Sequence, residues 1–405
     1  MKKKTPSDVT LISESHEKST ILSRRQFFKT SGLVTAGLLI NTCTKKQNPL
    51  ESSSMLSKNP DALLTRPSNG ILSQVATATL NDYNPESLKA AIQSCFEAIG
   101  GIGDLVKTGD TVGLKLNMTG GQYNAAKTNQ LYGLDATETF WSHPEILRAM
   151  GELLKDMGAG RLLVFEANYD WASVTDWGYL DVVNDLGAEY IDLNSADPYS
   201  AFTEVNVDNP LTHWDSYFHN GALHEVDCFI SLPKFKRHYG AGITGALKNM
   251  IGSVPLSKYQ KSGAWREKLH CKDNLTDANS YEGLKNLVRT IVDLNRARPT
   301  QLTITDAILT ADNGEGTWNT GFTPLSLNTL ITSKDPVAAD AVGTALFGFD
   351  PTAADKEGPF AAESLPGSFA GTDNYLRIAD EQGLGNHSLD QIEMIDATVS
   401  TLVEA

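Results

Sequence analysis

From Ile71 onward, short apolar runs alternate with longer stretches of mixed apolar and polar residues. ILSQVATATL reads as a strand, and PESLKAAIQSCFEAIGGIG as a helix opened by Pro85 and stopped by Gly100 and Gly101. TVGLKLN (Thr111 to Asn117) reads as a short strand, and the polar, glycine-bearing MTGGQYNAAKTNQLYGLDATETFW after it as a long loop. HPEILRAMGELLKDMGAG then predicts a helix, RLLVFEAN a strand, TDWGYLDVVNDLGAEYIDLN a helix and a strand, and HEVDCFISLPKF a buried strand. YEGLKNLVRTIVDLNRARP predicts a helix, QLTITDAIL and LSLNTLITS two strands, and DPVAADAVGTALFGF a helix started by Asp335 and Pro336. This alternation predicts the α/β class: a largely parallel sheet with helices on both faces, and no internal repeat.

Ahead of this body the pattern is different. SRRQFFK (Ser23 to Lys29) precedes the apolar SGLVTAGLLI (Ser31 to Ile40), which has the layout of a twin-arginine export signal. The apolar run is too short to span a bilayer as a stable helix. Cys43 follows directly and is the candidate for lipid modification and membrane anchoring; Asn41 and Thr42 are poor matches to the small residues expected before such a cysteine. The expected organisation is a signal segment at 1–43, a flexible tether rich in Ser, Lys, Asn and Pro at 44–69, one large domain at 70–390, and a C-terminal segment at 391–405. The partner so implied is the twin-arginine export machinery, and the location is the periplasm or the outer face of the cell envelope.

Charge sharpens the picture. The chain carries −15, while residues 1–48, with nine Lys/Arg and three Asp/Glu, carry +6, so the remainder is −21. A body that acidic argues against nucleic acid as a partner. The four cysteines are scattered without a CxxC pair, so no cysteine-bound iron–sulfur cluster is expected; the cofactor is otherwise open. Cys95 and Cys228 lie in apolar runs that read as core.

Within this acidic body, Pro233 to Asn249 reads PKFKRHYGAGITGALKN and gathers Lys234, Lys236, Arg237, His238 and Lys248 around three glycines. With GITGALKN expected to open a helix, free backbone N–H groups beside these cations point to an anionic small molecule. No GxxxxGK[ST] is present, and neither a GxSxG elbow nor an SxxK motif occurs. In parallel α/β sheets ligands bind beyond the carboxyl ends of the strands. The residues expected there are Lys115 and Asn117, Glu166 and Asn168, Lys234 with Lys236 and His238, Asp306, and Lys334 with Asp335. Glu166 taken alone reads as a solvated or capping carboxylate, and Asp340 as an exposed acid. His238 and His270 bracket the basic segment and suit proton transfer near neutral pH. With Asp306 or Asp335 they could hold a metal, although no HxxxH or HExxH spacing supports it. His213, His219 and His224 read as a surface loop, and ADNGEGTW (Ala311 to Trp318) as an acidic turn only faintly like a calcium loop.

The LKLN strand end, SLPKFKRHYGAGITGALKNMIGSVP, the later LH at His270, LTITDAILTADNGEG, TSKDPVAADAVGTALFGFDP and the closing ADEQGLG together resemble one family, the domain-of-unknown-function family numbered 362. The resemblance runs from about Val75 to Gly385. It implies recurring polar positions at Lys115, Lys234, Lys236, His238, Lys248, Asn249, His270, Asp306, Asp335 and Asp340, with no assigned role. Some members carry an added cysteine-rich cluster-binding segment, which this chain lacks. Two functions follow. One is an exported enzyme on an anionic small molecule, with His238, His270 and Asp306 catalytic and Lys115, Asn117, Lys234, Lys236, Lys248, Asn249 and Asp335 holding the ligand. The other is a non-catalytic anion- or cofactor-binding envelope protein.

Overall fold

The computed structural model describes residues 72–261, 265–270, 280–367 and 369–397. The chain divides into two compact units, Met1–Met55 and Leu56–Ala405, and every described residue belongs to the second. The expected export signal, Cys43 and the whole tether at 44–69 therefore lie outside the described residues.

Eight strands form the main sheet: β1 (Ser73–Thr79), β2 (Thr111–Lys115), β3 (Arg161–Glu166), β4 (Glu189–Asp192), β7 (Cys228–Ser231), β10 (Leu302–Asp312), β11 (Thr323–Ser333) and β12 (Ile392–Asp396). Their order across the sheet is β12-β1-β11-β10-β7-β2-β3-β4. The two pairings of β11 are antiparallel and all others parallel, so seven strands run one way and β11 alone runs the other. Two hairpins stand apart: β5 (Thr203–Asn206) with β6 (Ser216–His219), and β8 (Lys236–His238) with β9 (Gly242–Thr244).

Successive residues of the central strands point to opposite faces, and both faces are buried. Leu162 and Val164 pack with α1 (Pro85–Ala98), α3 (Pro144–Asp156) and α4 (Tyr179–Asp185), while Leu163 and Phe165 face the other way. That second face lies under α5 (Tyr281–Ala297), α6 (Pro336–Leu346) and α7 (Tyr375–Glu381). The helix starts follow local chemistry. Asn84 caps α1 by accepting the Ser87 N–H, and Asp335 caps α6 by accepting those of Val337 and Ala338, each with proline at the first helical position.

Three expectations change here. The long loop after β2 contains a helix, α2 (Gly121–Tyr132); it is polar on most sides and buries only Gly121, Ala125 and Thr128, so it carries no apolar period to read. GITGALKN does not open an α-helix: Gly242–Thr244 pairs back on Lys236–His238 as β9, and a 3₁₀ helix follows at Lys248–Ser253. The segment 391–405 is not separate throughout, because Ile392–Asp396 is the edge strand beside β1. Among the described residues, no helix is long and apolar enough to cross a membrane.

Candidate functional site

A cavity of about 560 Å³ opens where β2 and β3 end. Lys115 and Asn117 come from the end of β2, and Glu166 from the end of β3. The β8–β9 hairpin brings Lys236, His238 and Thr244, and the 3₁₀ segment brings Lys248 and Asn249. Arg266 and His270 close one side, and Glu315 and Trp318, from the loop after β10, another. Seven of the ten expected site residues thus meet in one place: Lys115, Asn117, Lys236, His238, Lys248, Asn249 and His270.

The floor is an ion pair. Lys115 Nζ lies 2.9 Å from Glu166 Oε1, both side chains are buried, and Asn249 Oδ1 stands 3.5 Å away. Glu166 also accepts the backbone N–H groups of Ala167 at 2.9 Å and Met118 at 3.0 Å. Burial works against both charges, lowering Lys115 and raising Glu166, while their contact with each other opposes both shifts. Glu166 is therefore a buried structural carboxylate, not the solvated one its sequence context suggests.

The cations above it are not balanced in this way. Lys236 donates to Asn117 Oδ1 at 2.9 Å and to the Phe140 carbonyl, with no carboxylate in contact among the described residues. Burial, then the neighbouring Lys248, pulls its pKa well below the ordinary range. Lys248 makes no direct hydrogen bond among the described residues; burial lowers it to about 8, with Glu315 opposing. An anion in the cavity would restore charge to both groups.

The two histidines are neutral and of opposite polarity. His238 Nδ1 accepts the Gly240 N–H at 2.8 Å, so its proton sits on Nε2, which lies 3.9 Å from Glu315 Oε1. His270 Nδ1 is 3.1 Å from the Arg266 carbonyl, which can only accept, so Nδ1 carries the proton and Nε2 presents a lone pair. Burial lowers both, His238 strongly, with Lys248 adding to the effect, and His270 to about 4. One imidazole thus presents a hydrogen-bond donor to the cavity and the other a lone pair that can accept a proton.

The basic loop is held from behind. Asp340, fully buried on α6, accepts the N–H of Ala246 at 2.6 Å and of Leu247 at 3.1 Å. Gly245 makes this approach feasible, since a Cβ there would lie 2.0 Å from Asp340 Oδ1. Those N–H groups were the expected anion seat; they are already occupied, so the anion must rely on side chains. Asp340 is a buried anchor rather than an exposed acid. Among the described residues no cation is paired to it, and burial pushes its pKa up to about 7.

Asp306, Lys234 and Asp335 do not reach the cavity. Asp306 lies in mid-strand, because β10 continues to Asp312, and its carboxylate is 2.6 Å from Lys234 Nζ. Lys234 also donates to Tyr83 Oη and the Thr137 carbonyl at 2.8 Å, and to the Leu309 carbonyl at 2.9 Å, so it has no free donor for a ligand. Asp335 follows β11, the one reversed strand, and therefore lies at the other end of the sheet. There it caps α6 and accepts a bond from Ser73 at 2.6 Å. Neither aspartate can orient the cavity histidines or complete a metal site with them. Among the described residues no three His, Cys, Asp or Glu side chains lie together as metal ligands.

His219, expected on a surface loop, is buried and bonded to His224 at 2.9 Å. Glu315, Arg266, Tyr169 and Trp318 escaped the sequence reading. Arg266 precedes His270 by four residues, a helical spacing that would have put them on one face. Glu315 sat inside the turn compared with a calcium loop; its carboxylate instead accepts the Tyr239 N–H at 2.9 Å and the Trp318 indole N–H at 3.2 Å.

Fold and site together define an α/β protein with a cationic, histidine-bearing cavity at the carboxyl ends of parallel strands. The chain belongs to the family described as Domain of unknown function (DUF362), whose model matches residues 112–345. It is 25% identical over 286 residues to the thylakoid-associated protein sll1697 of Synechocystis sp., covering 69% of this chain and 76% of that one. Among solved structures it is similar to the lactate racemase apoprotein from Thermoanaerobacterium thermosaccharolyticum, at 10% identity and a TM-score of 0.38, over 66% of this chain and 55% of that one. A Thermotoga maritima protein matches at 12% identity and a TM-score of 0.35, over 65% and 59%.

Proposed function

We propose that the protein is an exported cell-envelope enzyme that moves a proton on an anionic small molecule. The observation that carries this reading is the pair of neutral imidazoles of opposite polarity beside two ammonium groups that form no direct carboxylate contact among the described residues. Lys236 and Lys248 hold the anion, with Asn117 and Asn249 fixing its surroundings. His270 Nε2 takes a proton from the substrate and returns it at another atom of the same molecule, while the neutral His238 Nε2–H hydrogen-bonds the negative charge that develops. Negative charge developing on the substrate meets these fixed cations, which stabilise it. Lys115 shapes the floor through Glu166. The export signal at residues 23–40 supports placement outside the cytoplasm, and Cys43 supports attachment to the membrane.

The test is a turnover screen of small carboxylates and phosphate esters with the purified full chain, followed by mass spectrometry. Conversion of at least one compound is expected. His238→Ala and His270→Ala should each slow it by about 10²–10⁴ while affinity for that compound changes far less. Stoichiometric anion binding without conversion, or turnover indifferent to both substitutions, would favour a non-catalytic carrier and sink the enzyme reading.

A further inference from the structure

The cavity is chemically divided. Lys236 and Lys248 supply its cations from the hairpin and the 3₁₀ segment after it, while Tyr169 and Trp318, also in its wall, are 38% and 40% exposed. Large aromatic side chains left this open around a cavity are apolar surface without a partner. Trp318 is also rigidly seated. A Cβ at Gly316 would lie 2.1 Å, and one at Gly120 2.3 Å, from its ring, so the indole rests directly on two stretches of bare backbone. Phe140 meets it edge-on with centroids 5.8 Å apart, and Glu315 holds its N–H. Trp318 is also part of the cavity wall.

The hairpin side has an unmet demand of another kind. Thr244 Oγ1 is buried and has no hydrogen-bond partner among the described residues. Thr244 stands directly opposite Lys236 in the hairpin register, and Lys248 follows four residues later in the chain. A buried hydroxyl beside two ammonium groups is a site for an acceptor oxygen. The cavity volume falls within the range of about 300–1,000 Å³ usual for small-molecule sites, well beyond what an inorganic anion fills.

We infer that the ligand is an aryl anion: a planar unsaturated ring lying against Trp318 and Tyr169, bearing a carboxylate or phosphate that meets Thr244, Lys236 and Lys248. This rests on the anion seat proposed above and adds the nature of the group attached to it. A flat ring suits a rigid indole plate because stacked and edge-on aromatic contacts gain beyond the area they bury. The ring is the part that is recognised, and the proton moves at an atom near the anionic group, beside the histidines.

Titration calorimetry of the full chain with acetate, cyclohexanecarboxylate, benzoate and phenyl phosphate tests this. Benzoate should bind about tenfold more tightly than acetate, and several-fold more tightly than cyclohexanecarboxylate of similar bulk. Trp318→Leu should reduce both ratios to about twofold with acetate affinity unchanged, while Trp318→Phe should keep them. Tyr169→Leu is the second variant, with the same expected direction. Lys248→Met and Thr244→Val should weaken acetate and benzoate alike. Phenyl phosphate against benzoate reports which anion the seat prefers, and binding of either with the Trp318 dependence supports the proposal. Equal affinity for benzoate and cyclohexanecarboxylate, or a benzoate preference that survives Trp318→Leu, overturns the aryl ring and leaves the anion seat standing. Binding of none of the four overturns both.

Discussion

Replacing Asp340 by alanine should change how the protein's stability depends on pH. Asp340 is buried beneath the basic loop with two backbone N–H groups and no cation for partners. Its pKa is raised from the ordinary 3.8 to about 7, chiefly by burial. A carboxyl group whose folded pKa exceeds its unfolded value favours the folded state fully below the unfolded pKa. That contribution is lost as pH rises through the folded pKa. At about 1.4 kcal/mol per pH unit, the loss attributable to Asp340 between pH 5 and pH 8 is about 3 kcal/mol. Urea denaturation of wild type and Asp340→Ala at pH 5, 6, 7 and 8 measures it. Other titrating groups cancel in the comparison, and so does the fixed penalty of orphaning the Ala246 and Leu247 N–H groups. The difference in stability between the two proteins should shrink by about 3 kcal/mol from pH 5 to pH 8. A difference constant to within about 0.5 kcal/mol would show that the carboxyl does not titrate in this range and that the account of the anchor is wrong.

Three further outcomes are expected. Lys115→Met or Glu166→Leu alone should cost about 3–5 kcal/mol by stranding a buried charge, and the double substitution should recover much of that in denaturation experiments; additive losses would deny the pairing. Oxalate affinity, measured by calorimetry, should fall as pH rises above about 8, where Lys248 loses its proton, and Lys248→Arg should flatten the profile; a flat wild-type profile from pH 7 to 9.5 would exclude Lys248 as an anion ligand. Gly245→Ala should destabilise by about 1–3 kcal/mol, because its Cβ would lie 2.0 Å from Asp340 Oδ1. The cost should fall sharply in an Asp340→Ala background; an unchanged cost there would mean the strain lies elsewhere.

Periodicity made most of the sheet and its covering helices legible, because buried parallel strands and amphipathic helices leave strong patterns. It missed α2, whose sequence is polar almost throughout. It also could not assign strand direction. β11 reads as an ordinary strand of the alternation, yet it runs against its neighbours and carries Asp335 away from the rim where the other strand ends gather. Asp306 failed for a related reason: apolar residues continue past it, but the polar residue in their midst looked like a terminus. The strand-end rule worked where a strand truly stops, at Lys115 and Glu166. Glycine spacing in PKFKRHYGAGITGALKN showed close backbone approach correctly, but the approaching group is Asp340 of the same chain. The roles of Glu315 and Trp318 depend on a loop folding across the cavity, which no local pattern encodes.

The placement of β1 has a consequence for how the protein is made. Val75 pairs with Ser333 and Ser73 with Ile392, so the first strand of the sheet has no neighbour until some of the last residues exist. At roughly 5–20 residues per second, the wait of about 250 residues for β11 alone lasts about 10–50 seconds. Throughout that interval the β2–β3 portion can assemble, while Ser73–Thr79 keeps two unpaired edges open to any other chain. Closure of the domain is thus a late event with high contact order. A ribosome that stalls beyond the 3₁₀ segment would leave a nascent chain carrying much of the cavity's cationic wall but lacking the two strands that enclose β1.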